Sequence, residues 1–248
     1  MPNELLLILV GAAAAGFVQG LSGFAFGMVS MSFWVWGLEP RLIAVLVVFG
    51  SLSGQSIAAL AERSRAPWSA LAPYVLGGVI GIPLGVLLLP ALDPNLFKLL
   101  LGLILTVWCP VMLLAGRIPR LQRGGRVADG LAGAAGGFMG GLGGLTAVIP
   151  TLWCTLRGLD KDQQRSIIQR FNLVTLGIIM AAYLASGVID RHTASLLPAV
   201  ALALLLPHLL GARLYRHLSQ QRFRQIVLAL LSLSGLAMLL AAIAARMA

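Results

Sequence analysis

One motif occurs twice in the chain, first as Gly16-Phe-Val-Gln-Gly-Leu-Ser-Gly-Phe24 and again, 121 residues later, as Gly137-Phe-Met-Gly-Gly-Leu-Gly-Gly-Leu145. Five residues are identical between the copies, and the same ungapped register sets Gly37-Leu38 on Gly158-Leu159. Glycine and leucine are common in this chain, so single matches carry little weight. Seven identities in one register indicate a duplication, and we predict two repeats, 1–120 and 121–248.

Both motifs lie in strongly apolar sequence. Hydrophobic residues make up 59% of the 248 residues and charged residues 10%, whereas a soluble domain is roughly 25% charged. The apolar residues come in blocks long enough to cross about 30 Å of hydrocarbon as helices. We therefore predict an all-α polytopic membrane protein with eight apolar segments, at 4–36, 40–61, 68–91, 95–116, 127–156, 162–187, 193–212 and 222–245.

The first and fifth segments differ from the others in length and composition. Each runs for about thirty residues, too long for an ordinary span, and each has a glycine-rich break near its middle, at Gly20–Gly27 and at Gly140–Gly144. Such a segment is either a re-entrant hairpin of two half-helices or a kinked full span. Each repeat would then contain one re-entrant or broken helix and three spanning helices.

Basic residues favour the hairpin. The net charge is +10, and 13 of the 18 lysines and arginines lie in four loops between apolar segments; this distribution indicates membrane topology rather than nucleic-acid binding. If all eight segments crossed, the loops at 117–126 and 213–224 would lie on opposite faces. With two hairpins all four basic loops become cytoplasmic, each repeat crosses three times, and the repeats must be inverted, an architecture of transporters. Two kinked spans with one misplaced basic loop remain the alternative.

The helix breaks are the predicted binding site. The start of a half-helix presents unpaired N–H groups and a partial positive charge, which suits an anion, and two such starts could meet near the middle of the membrane. Close packing by glycine and hydrogen bonds between helices are the structural alternatives. We predict these substrate-binding residues: Gln19, Ser22, Gly23, Phe24, Ser51, Gln55, Gly143, Gly144, Leu145, Thr146, Arg170 and Asn172.

Arg170 is the charged residue in that set. It lies about nine residues into the sixth segment, where a buried charge costs at least about 2.5 kcal/mol and normally faces a cavity or a partner. No acidic residue lies deep within a segment, so an anionic substrate is the expected partner. The alternative is that Arg170 extends to the cytoplasmic face or caps backbone carbonyls.

Other residue types give no sign of catalysis. The sequence has no metal-ligand cluster, carboxylate pair or nucleophile–base arrangement, so we expect no enzyme activity and no cofactor. Cys109 and Cys154 are interpreted as small core residues, and His208 as a hydrogen-bonded structural residue. Trp34, Trp36 and Trp153 are expected at the membrane interface or closing the half-helices.

At the two glycine breaks the sequence resembles the sulfite exporter TauE/SafE family, also known as the toluene-sulfonate uptake permeases. The residues that carry the resemblance are Gly16-Phe-x-x-Gly-Leu-x-Gly-Phe24 and Gly137-Phe-x-x-Gly-Leu-x-Gly-Leu145, followed by Pro150 and Gly158. The resemblance implies a multi-pass permease of the bacterial inner membrane for small anions, with sulfite or organosulfur acids such as sulfonates as substrates. The expected partners are the anion and the lipid bilayer, without nucleic acid, and a homodimer is left open. A passive anion channel on the same scaffold, or a non-transporting membrane subunit, is the alternative.

Overall fold

The computed structural model describes residues 2–61, 67–115, 121, 124–214 and 220–247, and within these ranges the regular structure is helical. A 3-10 turn, Leu89–Ala91, follows the fourth helix. The helices are α1 (Pro2–Ser22), α2 (Phe26–Trp34), α3 (Pro40–Ala61), α4 (Trp68–Leu88), α5 (Pro94–Leu114), α6 (Gly125–Gly143), α7 (Val148–Leu156), α8 (Lys161–Ala185), α9 (Arg191–Leu214) and α10 (Gln220–Met247). The prediction of an all-α polytopic membrane protein is confirmed, and the first and fifth predicted segments each become two helices.

Aspartates mark the starts of several long helices. Asp93 accepts hydrogen bonds from the N–H groups of Asn95 and Leu96 at the start of α5, and Asp160 does the same at the start of α8. Asp190 accepts from the Thr193 N–H at the start of α9, and this bond lowers the pKa of its carboxyl. These caps satisfy backbone donors that a helix start leaves unpaired.

Each broken segment folds back on itself as a hairpin. In the first, the Trp34 indole at the end of α2 donates to the Leu7 carbonyl near the start of α1, over 3.2 Å. In the second, the Trp153 indole near the end of α7 donates to Asp129 near the start of α6, over 2.7 Å. The chain therefore leaves each hairpin at the end where it began, which rules out a kinked full span.

The two arms of each hairpin have unequal lengths. The first arms contain 21 residues in α1 and 19 in α6, while the return arms α2 and α7 contain nine each. At about 1.5 Å per residue, α1 measures about 31 Å, which is enough to cross the hydrocarbon core. The return arms α2 and α7 are therefore half-helices, and α1 is long enough to span the hydrocarbon core.

The order of the helices is similar in the two predicted repeats. A long helix, a short helix and three long helices occur in the same order twice. Gly23 and Gly144, which coincide at a shift of 121 residues, end the first arms and have φ angles of +87° and +77°. The predicted boundary near residue 120 falls at 116–120 and 122–123, outside the described residues, so the unit limits stay a prediction.

The first helix of each hairpin packs mainly against a helix of the other unit. α1 packs along α9 of the second unit, and α6 packs along α4 of the first. On α4, Gly77 and Gly81 lie against the carbonyls of Gly130 and Ala134 in α6, which confirms that these scattered glycines permit close helix packing. Each hairpin is therefore held between helices of both units.

Seven helices in the described ranges are long and apolar enough to cross a membrane: α1, α3, α4, α5, α8, α9 and α10. The most basic loop residues, at 62–66, 116–120, 122–123 and 215–219, fall outside the described part of the chain. The cytoplasmic position of these loops and the inversion of the repeats therefore stay predictions.

Candidate functional site

The two helix breaks lie side by side inside the protein. A Cβ built on Gly27, in the first turn of α2, would lie 3.2 Å from Leu145 Cδ2 and 3.4 Å from the Gly144 carbonyl oxygen in the second break. The Val47 side chain of α3 touches both Gly27 and Gly144. The first turn of α2 therefore lies against the second break.

The first break is a turn that requires glycine. Gly23 has φ +87°, a conformation that costs other residues about 1 to 2 kcal/mol. Its N–H donates to the Gln19 carbonyl, and its own carbonyl accepts from Gln55 Nε2 over 2.8 Å. Ser22 Oγ accepts from the N–H groups of Phe24 and Ala25. The Ser22 hydroxyl oxygen is therefore already bound to the turn.

Two glutamine side chains beside this break are buried with one atom unpaired. Gln19 donates from Nε2 to the Ser51 carbonyl over 2.9 Å, as Gln55 does to Gly23. Because both amide nitrogens face carbonyl oxygens, the orientation of each amide is fixed. The Oε1 atoms of Gln19 and Gln55 have no hydrogen-bond partner. A buried unpaired acceptor is costly, which is typical of a functional site.

Arg165 and Gln169 of α8 bring hydrogen-bond donors to the first break. A Cβ on Gly23 would lie 3.4 Å from Gln169 Nε2 and 3.6 Å from Arg165 Nε. Neither Arg165 nor Gln169 was in the predicted set of substrate-binding residues. The signal was available in the sequence, because residues 165, 169 and 172 share one face of a helix.

Arg170 lies on a different part of α8. At 3.6 residues per turn it is about 140° around the helix from Arg165, and its side chain is half-buried. Arg165 is thus the guanidinium that the structure places against the first break. A substrate role for Arg170 stays a prediction.

The second break has fewer polar side chains. Gly144 adopts φ +77° and packs against Val47 and Val48 of α3. Thr146 donates to Asn172 Oδ1 over 2.8 Å, and both side chains are buried. Gly143 lies against the Met31 methyl of α2. The Thr146 hydroxyl is therefore held by Asn172.

Trp108 of α5 connects the two breaks. Its ring packs edge-on against Phe24, with the ring centroids 6.4 Å apart, and its indole N–H donates to the Val148 carbonyl over 2.7 Å. Phe24 follows the first break and Val148 begins α7 after the second. Trp108 was not in the predicted set, because no motif in the sequence connects it with either break.

A separate polar cluster closes the base of the second hairpin. Asp129 accepts from Tyr74 over 3.0 Å, from Trp153 over 2.7 Å, and from Arg157 over 2.7 Å in an ion pair. The hydrogen bond that Arg157 donates to Asp129 raises the pKa of the Arg157 guanidinium. Asp129 is 6% exposed. It was overlooked because it lies near the edge of its apolar segment, where an acidic residue would normally be solvated.

The predicted minor residues fall where the sequence suggested. Cys109 and Cys154 are both buried and free. Trp34 and Trp153 close their hairpins, while Trp36 is 49% exposed and lies under the Lys98 ammonium. Among the described residues no group of His, Cys, Asp or Glu could hold a metal ion.

A bundle of apolar helices, seven of them in the described ranges long and apolar enough to cross a membrane, defines a multi-pass membrane protein. A family model described as sulfite exporter TauE/SafE matches residues 7–238 of the 248. The chain therefore belongs to the sulfite exporter TauE/SafE family, whose members are transporters rather than enzymes. No curated protein and no solved structure matches the chain.

Proposed function

We propose that this transporter is a permease for small anions, with sulfite or organosulfur acids such as sulfonates as its substrates, and that the anion binds where the two helix breaks meet. The family description names sulfite. The observation that carries the proposal is the approach of the α2 start to the second break, seen at Gly27 and Gly144.

Two uncapped helix starts supply the donors. Neither Ala25, before α2, nor Ala147, before α7, provides a side-chain cap. The first N–H groups of a helix have no partner within it and carry a partial positive charge. At the first break, the carboxyl end of α1 offers little competing negative charge, because the carbonyls of Gln19 and Gly23 already accept hydrogen bonds. The partial positive charge at the start of α2 is therefore available to an anion at this break.

Arg165 supplies full positive charge at the same place. Its guanidinium lies against Gly23, beside the Gln169 amide. Planar guanidinium groups bind oxyanions through two parallel hydrogen bonds. Two oxygens of a sulfonate or of sulfite can accept both hydrogen bonds, whereas an apolar solute can accept neither.

The burial of the breaks supports alternating access rather than an open pore. Gly23, Gly144 and the residues that begin α2 and α7 are buried in this conformation. An anion can reach them only after the units move relative to each other, as in transporters with broken helices. A passive channel would instead show flux that does not saturate with substrate. We place the permease in the bacterial inner membrane.

Anion binding to the purified protein tests the proposal. Sulfite, thiosulfate, methanesulfonate and acetate would be titrated by calorimetry against wild type, Arg165→Gln and Arg170→Gln. Arg213→Gln is the matched control, because Arg213 is exposed at the end of α9. We expect the sulfur oxyanions to bind in preference to acetate, and the loss of one charged hydrogen-bonding partner in Arg165→Gln to weaken binding about tenfold or more.

The outcomes separate the parts of the proposal. If binding were unchanged in Arg165→Gln and weakened in Arg170→Gln, Arg170 rather than Arg165 would be the residue that binds the anion, as the sequence predicted. Equal loss in Arg213→Gln would show that the effect is not specific to the site. Absence of binding for every anion would refute the permease proposal.

A further inference from the structure

The side-chain oxygens of Gln19 and Gln55 are buried hydrogen-bond acceptors without a donor. Gln19 is 1% exposed and Gln55 is 2% exposed, and neither Oε1 atom has a hydrogen-bond partner in the part of the chain that the structure describes. An amide oxygen only accepts hydrogen bonds, so it cannot be satisfied by rotating a hydrogen, as a hydroxyl can. A buried acceptor left in this state is destabilising. Each of the two oxygens therefore needs a donor from a water molecule or from a ligand.

Both amides are held in place beside the first break. Gln55 Nε2 donates to the Gly23 carbonyl over 2.8 Å, so ordinary bond lengths keep Gln55 Oε1 within about 5 Å of that carbonyl oxygen. Gln19 Nε2 donates to the Ser51 carbonyl over 2.9 Å. A Cβ on Gly54 would collide with Gln19 Oε1. The glycine at position 54 thus leaves the space that the Gln19 amide occupies.

The left-handed turn of a helix break does not require these glutamines. At the shift of 121 residues, Gln19 coincides with Gly140. Gln55 coincides with Leu176, a buried apolar residue. Gly144 nevertheless adopts φ +77° in the second break, close to the +87° of its counterpart in the first. Because the turn forms without the two amides, their presence at the first break is better explained by binding than by the local backbone.

Gln169 of α8 brings an amide donor to the same turn. A Cβ on Gly23 would lie 3.4 Å from Gln169 Nε2. The residue that coincides with Gln169 at the shift of 121 is Val48, whose apolar side chain lies against Gly144 in the second break. The first break thus combines acceptors and a donor where the second is apolar. A hydroxyl group both donates and accepts hydrogen bonds, so it suits such a set, whereas an alkyl group can do neither.

We propose that the substrate of this permease is a sulfonate that carries a hydroxyl group, and that this hydroxyl donates to the side-chain oxygen of Gln55 or Gln19 while the sulfonate binds where the helix breaks meet. The inference rests on the proposed anion site and narrows its substrate class. A site with a buried acceptor discriminates against an analogue without the donor, because the acceptor then stays unpaired. Alkanesulfonates should therefore bind more weakly than hydroxyalkanesulfonates of the same size.

Calorimetry with two probes of equal size tests the inference on the purified full-length protein. Hydroxyethanesulfonate and propanesulfonate differ by a terminal hydroxyl in place of a methyl group, and neither titrates near neutral pH. Both are added as tetramethylammonium salts in buffer without sodium, so that a metal cation cannot pair the amide oxygens. We expect the wild-type protein to bind hydroxyethanesulfonate about tenfold more tightly than propanesulfonate, or more.

Gln55→Met and Gln19→Met each replace one amide with an apolar chain of similar length. Loss of the Nε2 hydrogen bond disturbs the break and should weaken both probes alike, whereas loss of Oε1 should weaken only the hydroxylated probe. The ratio of the two affinities therefore reports the acceptor rather than the fold. We expect this ratio to fall toward one in at least one of the two variants.

Gln164→Met is the matched control. The Gln164 amide also donates to a backbone carbonyl, that of Thr151 in α7, but it is not one of the side chains around the first break. This variant should keep the wild-type ratio. An equal fall of the ratio in Gln164→Met would overturn the assignment of the effect to the break.

The outcomes distinguish this inference from the proposed function. A wild-type ratio near one would overturn the inference, because water would then pair the amide oxygens as well as the substrate does, and would leave the anion permease intact. A ratio that persists in both Gln55→Met and Gln19→Met would overturn the assignment to these residues. Failure of the wild-type protein to bind either sulfonate or sulfite would refute the proposed anion site, and this inference with it.

Discussion

The two hairpins share a backbone but differ in where their polar groups lie. The first hairpin, α1–α2, is closed at its base by the buried Trp34, and its break is surrounded by Gln19, Gln55, Gln169 and Arg165. The second, α6–α7, is closed at its base by the Asp129–Arg157 ion pair, and its break is mostly apolar. One hairpin therefore carries its charge at the base, and the other has charge beside its break. The difference teaches that pseudo-symmetry of the backbone does not imply two equivalent binding sites.

The largest effect on stability is expected at the base of the first hairpin. Trp34 is fully buried, packs edge-on against Phe26 and lies against Gly11. Trp34→Ala should lower the free energy of unfolding by about 4 kcal/mol, the usual cost of emptying such a site. Unfolding in mixed micelles would measure it, with the half-exposed Trp36→Ala as control. Equal losses in the two variants would show that Trp34 is not the closing residue.

A smaller loss is expected at the base of the second hairpin. Asp129→Ala leaves the donors of Tyr74, Trp153 and Arg157 without their shared acceptor. We expect a loss of about 3 kcal/mol, at the low end for a broken buried pair because Arg157 is 32% exposed. Asp129→Asn should lose less, because its amide oxygen still accepts hydrogen bonds.

Ionic strength should affect the two hairpins differently, because an ion pair closes the base of one and a buried indole closes the base of the other. A partly exposed ion pair weakens as ionic strength rises, whereas a buried indole does not. The difference between wild type and Asp129→Asn should therefore shrink in high salt, while that between wild type and Trp34→Ala should not change. If both stability differences depended on salt in the same way, the ion pair at the base of the second hairpin would not behave differently from the buried indole at the base of the first.

The smallest stability effect, and the most informative for binding, concerns the first break. Gly23→Ala puts a side chain at φ +87°, at a cost of about 1 to 2 kcal/mol, and sets its Cβ beside Gln169 and Arg165. Gly187→Ala is matched, because Gly187 has φ +70° with open space around it. Both variants should lose similar stability, and Gly23→Ala alone should lose anion binding in calorimetry. Loss of binding in both would trace the effect to strain rather than to the site.

Much of the fold could be predicted because a membrane-spanning helix needs an apolar segment of a characteristic length, which is visible in the sequence. All eight apolar segments were found, since hydrocarbon thickness fixes their length, and the breaks at Gly23 and Gly144 stood out because only glycine suits those turns. The unequal hairpin arms could not be predicted, since apolar sequence does not show where a helix stops when glycines are numerous. Likewise, the exchange of α1 and α6 between units depends on small residues that are common throughout the chain.

The site was predicted where it depends on the backbone and missed where it depends on long side chains. Gln19, Gln55 and Gly23 do lie together, because the repeat pinpointed the break. Arg165 was missed because a basic residue near a segment end usually indicates topology, and its side chain is long enough to reach the break. Arg170 was chosen for its depth, but depth does not reveal which side of a helix faces the site.

The packing of α1 against α9 also means that α1 is synthesised well before the helix that covers it. The face of α1 that packs against α9 is made at the beginning of the chain, and α9 begins at Arg191, about 170 residues after α1 ends. At roughly 5 to 20 residues per second, α1 waits roughly 10 to 30 s for its partner. During that time its glycine-lined face is open to lipid, chaperones or a neighbouring nascent chain. A fragment that ends before α9 would leave that face of α1 without the helix that covers it in the full chain.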